Sequence, residues 1–173
     1  SDGDVLAVWP EHIPDVVGPL KLATAMQGIG GLRGFVAARD IQPGELLMAE
    51  APLVPWPSKE RGPLPLLREV LLQEPRVLKA MAALHPEKLD SVDVSERKRL
   101  AEEHAATINA LLPLWLARTR TEAEKELERE CEVAERRARA SLLQLCLQVQ
   151  WNAFEGGLFL HEALFNHASP RHA

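Results

Sequence analysis

Tyrosine is absent from the chain, and Cys131 and Cys146 are the only cysteines among its 173 residues. The first absence removes the phenol as an acid, base or hydrogen-bond donor from any chemistry done by these residues alone. The second excludes a disulfide-rich scaffold and an all-cysteine zinc site, and the spacing of the pair fits no zinc motif. No apolar run approaches the roughly 18–20 residues that a membrane-spanning helix needs, so no membrane span is expected. Ser1-Asp2-Gly3-Asp4 carries no basic segment, so no signal peptide is expected either. Few cysteines favour an intracellular, reducing compartment. Basic charge is in deficit: 20 Lys and Arg against 25 Asp and Glu leave a net charge of −5. That argues against a duplex-binding footprint and gives no strong nucleic-acid signal.

What is present fits a folded domain. Hydrophobic residues make up 46% of the chain and charged residues 26%, which excludes disorder along its whole length. Residues 1–60 are rich in Gly and Pro. Phe35 to Ile41 and Leu46 to Val54 are apolar runs flanking Gln42-Pro43-Gly44-Glu45. Proline at the second position and glycine at the third specify a type II turn, so a β-hairpin is expected there. Pro55-Trp56-Pro57 reads as extended linker.

From about residue 62 the pattern becomes helical. Leu67, Val70, Leu71, Leu78, Met81 and Leu84 recur at helical spacing and Pro75 divides them, so two short helices are expected. Asp93-Val94-Ser95-Glu96 is an N-cap for a third helix with Leu100, His104, Ile108, Leu111 and Trp115 on one face and Pro113 near its end. Thr121 and Glu124 form a capping box for the strongest helix, about 121–150. Its apolar stripe is Leu127, Cys131, Ala134, Ala138, Leu142, Leu145 and Val149. Its other face is dense in Glu and Arg, including Glu135–Arg139, and reads as a solvated or partner-contacting surface.

Candidate chemistry is sparse. Gly28, Gly30, Gly31 and Gly34 do not complete a dinucleotide fingerprint, because Arg33 stands where the last glycine belongs and a strand follows instead of a helix. His161, His167 and His172 lie close to Glu162 in sequence, but their spacing matches no helical ligand pair, so no metal site is assigned. His104 reads as a packed histidine, and the two cysteines as small buried hydrophobes. Ser141 and Ser169 lack a nucleophile-elbow context.

Two separated segments together resemble the SET-domain protein methyltransferases. Gly31-Leu32-Arg33-Gly34-Phe35 through Arg39-Asp40-Ile41-Gln42-Pro43-Gly44-Glu45 resembles the family's opening Gly-Arg-Gly element. Trp151-Asn152-Ala153-Phe154 and Leu164-Phe165-Asn166-His167 resemble the Asn-Ala/Ser-Phe and Asn-His elements of the SET-and-MYND and TPR-SET branches. Leu32 replaces a glycine of the family pattern. Ala168-Ser169-Pro170-Arg171-His172 stands where Ser-Cys-x-Pro-Asn is usual.

The resemblance implies an α+β fold dominated by helix: SET-like short strands from both ends of the chain, with a large helical insert. It divides the chain into an N-terminal SET-like β segment at 1–60, a helical insert at 61–150 and an Asn-His segment at 151–173. It implies S-adenosylmethionine as cofactor, held by Arg33, Gly34, Asn152, Ala163, Phe165, Asn166 and His167. The implied reaction is methyl transfer to a protein lysine, which needs in-line positioning and a desolvated amine. The family's catalytic tyrosine follows the Asn-His element, and no residue here can play that part. The alternative expectation is a degenerate SET-like module whose helices bind protein partners within a larger assembly. A third is an unrelated helical interaction domain with an N-terminal β-hairpin.

Overall fold

The computed structural model describes residues 2–3, 8–23, 33–73, 75–119 and 128–165. Helix dominates a mixed α+β architecture, as expected. The chain divides into two units: Ser1–Leu53 with Phe159–Ala173, and Val54–Leu158.

The first unit is built from short antiparallel strands. β1 (Asp2–Gly3), β3 (Leu20–Ala23) and β4 (Gly34–Ala37) form one sheet in the order β1-β3-β4. β2 (Val16–Val17) pairs with β5 (Met48–Ala49) in a separate ladder. The expected hairpin is therefore replaced. β4 pairs back with β3, with Leu22 opposite Phe35 and Ala23 opposite Gly34, while β5 pairs with β2. The turn itself forms: Glu45 N–H donates to Gln42 O at 3.0 Å and Gly44 takes φ +83°. It is closed by the Arg39–Glu45 ion pair, and the two flanking runs pair with earlier strands and not with each other. Trp9, Leu22, Leu160 and Leu164 are buried in this unit.

The second unit holds five helices and a small sheet among the described residues. α1 (Pro63–Leu72) and α2 (Pro75–Met81) are the two expected short helices, each opening on a proline, which the first turn tolerates. α3 (Val94–Glu103) starts at the predicted cap, with Asp93 accepting from the main-chain N–H groups of Ser95 and Glu96. The helix predicted to run through His104 breaks there, at φ −92° and ψ 6°. α4 (Ala105–Thr119) follows. The His104 ring is buried at this bend and its Nε2 lies 2.8 Å from Gln150 Oε1. Pro113 does not end α4, which runs to Thr119. α4 packs against both α1 and α5, and such packing offsets the roughly 3 kcal/mol that an internal proline costs.

α5 (Glu128–Asn152) is the longest helix, and Ala138, Leu142, Leu145 and Val149 are buried along it as their spacing predicts. Cys146 packs among them as a small hydrophobe, and burial pushes its thiol pKa up to about 12. The predicted capping box, Leu127 and the Cys131 side chain lie outside the described residues. Of the expected linker Pro55-Trp56-Pro57, Pro55 joins a sheet in the order β6-β8-β7, built from β6 (Val54–Pro55), β7 (Ala153–Phe154) and β8 (Gly157–Leu158), while Trp56 and Pro57 stay outside any strand. Pro55 is tolerated because β6 is an edge strand. Trp56 Nε1–H donates to Phe154 O at 2.8 Å.

Candidate cofactor site

Four of the seven residues implied to hold a cofactor lie in the first unit and are described: Arg33, Gly34, Ala163 and Phe165. Gly34 is the buried first residue of β4 and follows Arg33 directly. β4 is an edge strand of its sheet, so one side of its main chain faces no neighbouring strand among the described residues. Phe35, next along, meets the ring of Phe165 edge to face, with centroids 5.0 Å apart and planes at 66°. This contact joins the two segments of the resemblance, which are far apart in sequence. Aromatic pairs of this geometry contribute about 0.5–1.5 kcal/mol beyond the area they bury.

Phe165 is positioned by a single 3-10 turn, Glu162–Leu164, which contains Ala163. Leu164 N–H donates to His161 O at 2.9 Å and Phe165 N–H to Glu162 O at 3.1 Å. Glu50, just after β5, anchors that turn. Its Oε2 accepts the main-chain N–H groups of His161 and Glu162, both at 3.0 Å. Its Oε1 lies 2.8 Å from His161 Nδ1. The His161 ring is wholly buried and meets Trp9 in a T-shaped contact at 5.2 Å.

Burial pushes the Glu50 carboxyl up, but the hydrogen bond from the His161 ring and those from the two main-chain N–H groups outweigh it and hold Glu50 below the ordinary glutamate range. The neighbouring Glu162 carboxyl is raised, first by burial and then by the charge on Glu50. Ionised Glu50 accepts only, so His161 Nδ1 carries the shared proton. The opposite ring nitrogen, Nε2, is buried without a hydrogen-bond partner among the described residues. This buried pair was not legible in the sequence: the partners are 111 residues apart and follow no motif.

Asn152 lies in the second unit, at the end of α5, and is otherwise engaged. Its Nδ2 donates to His85 O at 2.6 Å and to Gln148 O at 2.7 Å. It belongs to a polar strip one side chain per turn along α5. Gln144 Nε2 reaches Glu87 O at 2.8 Å, and Gln148 Nε2 reaches Pro86 O at 3.1 Å and Leu84 O at 3.3 Å. Together the three amides hold the turn at 84–87, whose His85 ring stacks on Trp151 at 5.2 Å. The sequence carries a signal for this strip, amides spaced by four residues on a helix otherwise apolar on that side.

Asn166 and His167 lie outside the described residues, as do His172 and the glycines at 28, 30 and 31. Gly34, Ala163 and Phe165 share the first unit, and the Asn152 amide is bonded to main chain of the second. Among the described residues no group of three or more His, Cys, Asp or Glu side chains could hold a metal ion, and no helix is long and apolar enough to cross a membrane. No family model matches the chain, and neither a curated protein nor a solved structure matches it.

Proposed function

We propose that the chain carries the cofactor-binding part of a SET-domain, S-adenosylmethionine-dependent protein-lysine N-methyltransferase. The observation that carries this reading is the Phe35–Phe165 contact, which brings the residue after Gly34 against the residue before Asn166 within one unit. One edge of β4 faces no strand among the described residues, and the Glu50-anchored turn holds Ala163 and Phe165 in the same unit, which leaves main chain of both elements near a ligand. Asn166 and His167 hold it by hydrogen bonds, as the resemblance implies. The bound cofactor supplies an electrophilic methyl sulfonium, and the task of these residues is to orient it. The chain contains no tyrosine, so these residues do not themselves supply the phenol that the resemblance requires, and binding is the activity to test.

Calorimetric titration of the full chain with S-adenosylmethionine tests this. The expected result is saturable one-site binding that Asn166→Ala abolishes without changing the helical circular dichroism. Absence of binding by the unaltered chain, or equal binding by the variant, overturns the assignment.

The second reading, a SET-like module kept as a structural or protein-interaction element, is favoured by Asn152, whose amide donors are spent on the second unit's own main chain. It predicts a stable fold and no heat of cofactor binding in the same titration.

A further inference from the structure

We infer that the open groove formed by α3, α4 and α5 of the second unit is a docking site for an acidic amphipathic helix of a protein partner. The inference does not depend on the methyltransferase reading, since every residue it uses lies in the second unit.

The groove has a volume of about 440 Å³. Its floor is apolar: Leu89, Ile108 and Leu143. Its walls are small: Ala101, Ala105 and Ala140, which let another backbone come close. Val94 at one end is 69% exposed although it opens a helix whose other surface is polar. Val94, Arg97, Lys98 and Ala101 fall on one face of α3, so apolar and cationic groups point into the same space.

The rim is cationic. Arg97, Lys98 and Arg139 line it, and no carboxylate does among the described residues. Arg97 also bonds Asp90 at 2.7 Å, and Arg139 bonds Glu135 at 2.9 Å. Asp90 is exposed and the Arg139–Glu135 pair is half-exposed, and pairs open to solvent are worth about 0–1 kcal/mol, so they yield to a better-placed acid. Lys98 makes no ion pair among the described residues. This local excess of positive charge on a chain of net charge −5 selects an anionic occupant.

The apolar floor then decides among anionic occupants. Among the described residues the groove has no aromatic platform on which the bases of single-stranded RNA would stack. It is concave, whereas a lipid surface is met by a protruding apolar face. A helix with apolar anchors at i, i+3, i+4 and i+7 and carboxylates on both flanks matches floor and rim together.

Fluorescence anisotropy on the full chain tests the inference. The probe is a labelled helical peptide of Leu, Ala and Glu, with Leu at i, i+3, i+4 and i+7 and Glu on both flanks. Controls are a peptide of the same composition in scrambled order, a single-stranded RNA and phosphatidylserine vesicles. The patterned peptide is expected to bind about tenfold more tightly than the scrambled one, and Lys98→Glu and Ala140→Trp are each expected to weaken it about tenfold. Both positions are exposed. If Ala140→Trp alters the circular dichroism, Lys98→Glu decides alone. The inference is overturned if the patterned peptide does not bind, if it binds no better than the scrambled one, if binding ignores Lys98→Glu, or if RNA or vesicles bind in its place.

Discussion

Glu50 and His161 form a buried pair, Oε1 to Nδ1 at 2.8 Å, that ties the strand region of the first unit to the turn carrying Phe165. The carboxylate accepts from one ring nitrogen and from two main-chain N–H groups, so one side chain satisfies three donors. Removing it leaves those donors buried and unpaired, which costs more than the bonds contribute when made.

This pair predicts a specific pH dependence. The folded-state pKa of Glu50 is depressed. Its contribution to stability is therefore present above the unfolded value, about 4.3, and is lost as pH falls through the lower folded value. Glu162 works in the opposite sense, since its raised folded value makes its ionisation unfavourable to the fold and acid relieves that cost. Urea-unfolding midpoints of the unaltered chain should fall on acidification through this window. Glu50→Gln should lower stability by about 1–3 kcal/mol at pH 7 and flatten the acid limb. An acid limb of unchanged steepness in the variant would show that Glu50 does not drive it.

Asn152 and Asn166 are predicted to behave differently, although both match asparagines of the resemblance. Asn152→Ala strands the carbonyl of His85 and should cost about 1–3 kcal/mol in chemical denaturation, with cofactor affinity unchanged in the folded fraction. Asn166→Ala should do the reverse, leaving the unfolding midpoint in place and removing cofactor binding. Loss of binding in Asn152→Ala at full folding would return that residue to the site.

Gly157 takes φ +142°, and a Cβ there would collide with Val54 O and stand 2.8 Å from Pro55 Cα. Both obstacles are main chain of the paired strand, so neither can rotate away. Gly157→Ala should destabilise the second unit by about 2 kcal/mol or more, visible as an earlier thermal transition. A melting temperature equal to that of the unaltered chain would contradict the close approach of β6 and β8.

The Cys146 thiol is buried and its pKa is pushed up to about 12, so little thiolate exists at pH 8. In a Cys131→Ser background, the folded chain should not react with a disulfide reagent, and one equivalent should react after unfolding in urea. Rapid labelling of the folded chain would place Cys146 at the surface.

Periodicity made most of the helical unit legible. The α5 stripe from Ala138 to Val149, the division at Pro75 and the Asp93 cap each depend on local spacing, and each is present. Strand pairing was harder to read, because it is decided by which distant segment arrives. The runs around Pro43-Gly44 look like a hairpin in isolation, yet each pairs with an earlier strand. The bend at His104 likewise carries a contact with Gln150, a partner remote in sequence. At the candidate site, the motif residues Gly34 and Phe165 could be named from sequence, whereas Glu50, His161 and Trp9, which hold that region in place, could not. Asn152 matched a motif, but its surroundings at the 84–87 turn give its amide a different use.

The most direct measurement of the proposed pocket is a ¹H–¹⁵N NMR titration of the full chain with S-adenosylhomocysteine, which occupies the cofactor site without transferring a methyl group. The amides of Gly34, Ala163 and Phe165 should shift together and saturate at one stoichiometric equivalent, with Asn152 unmoved. Shifts confined to the second unit, or no shifts at all, would contradict a cofactor site built on β4 and the Glu50-anchored turn.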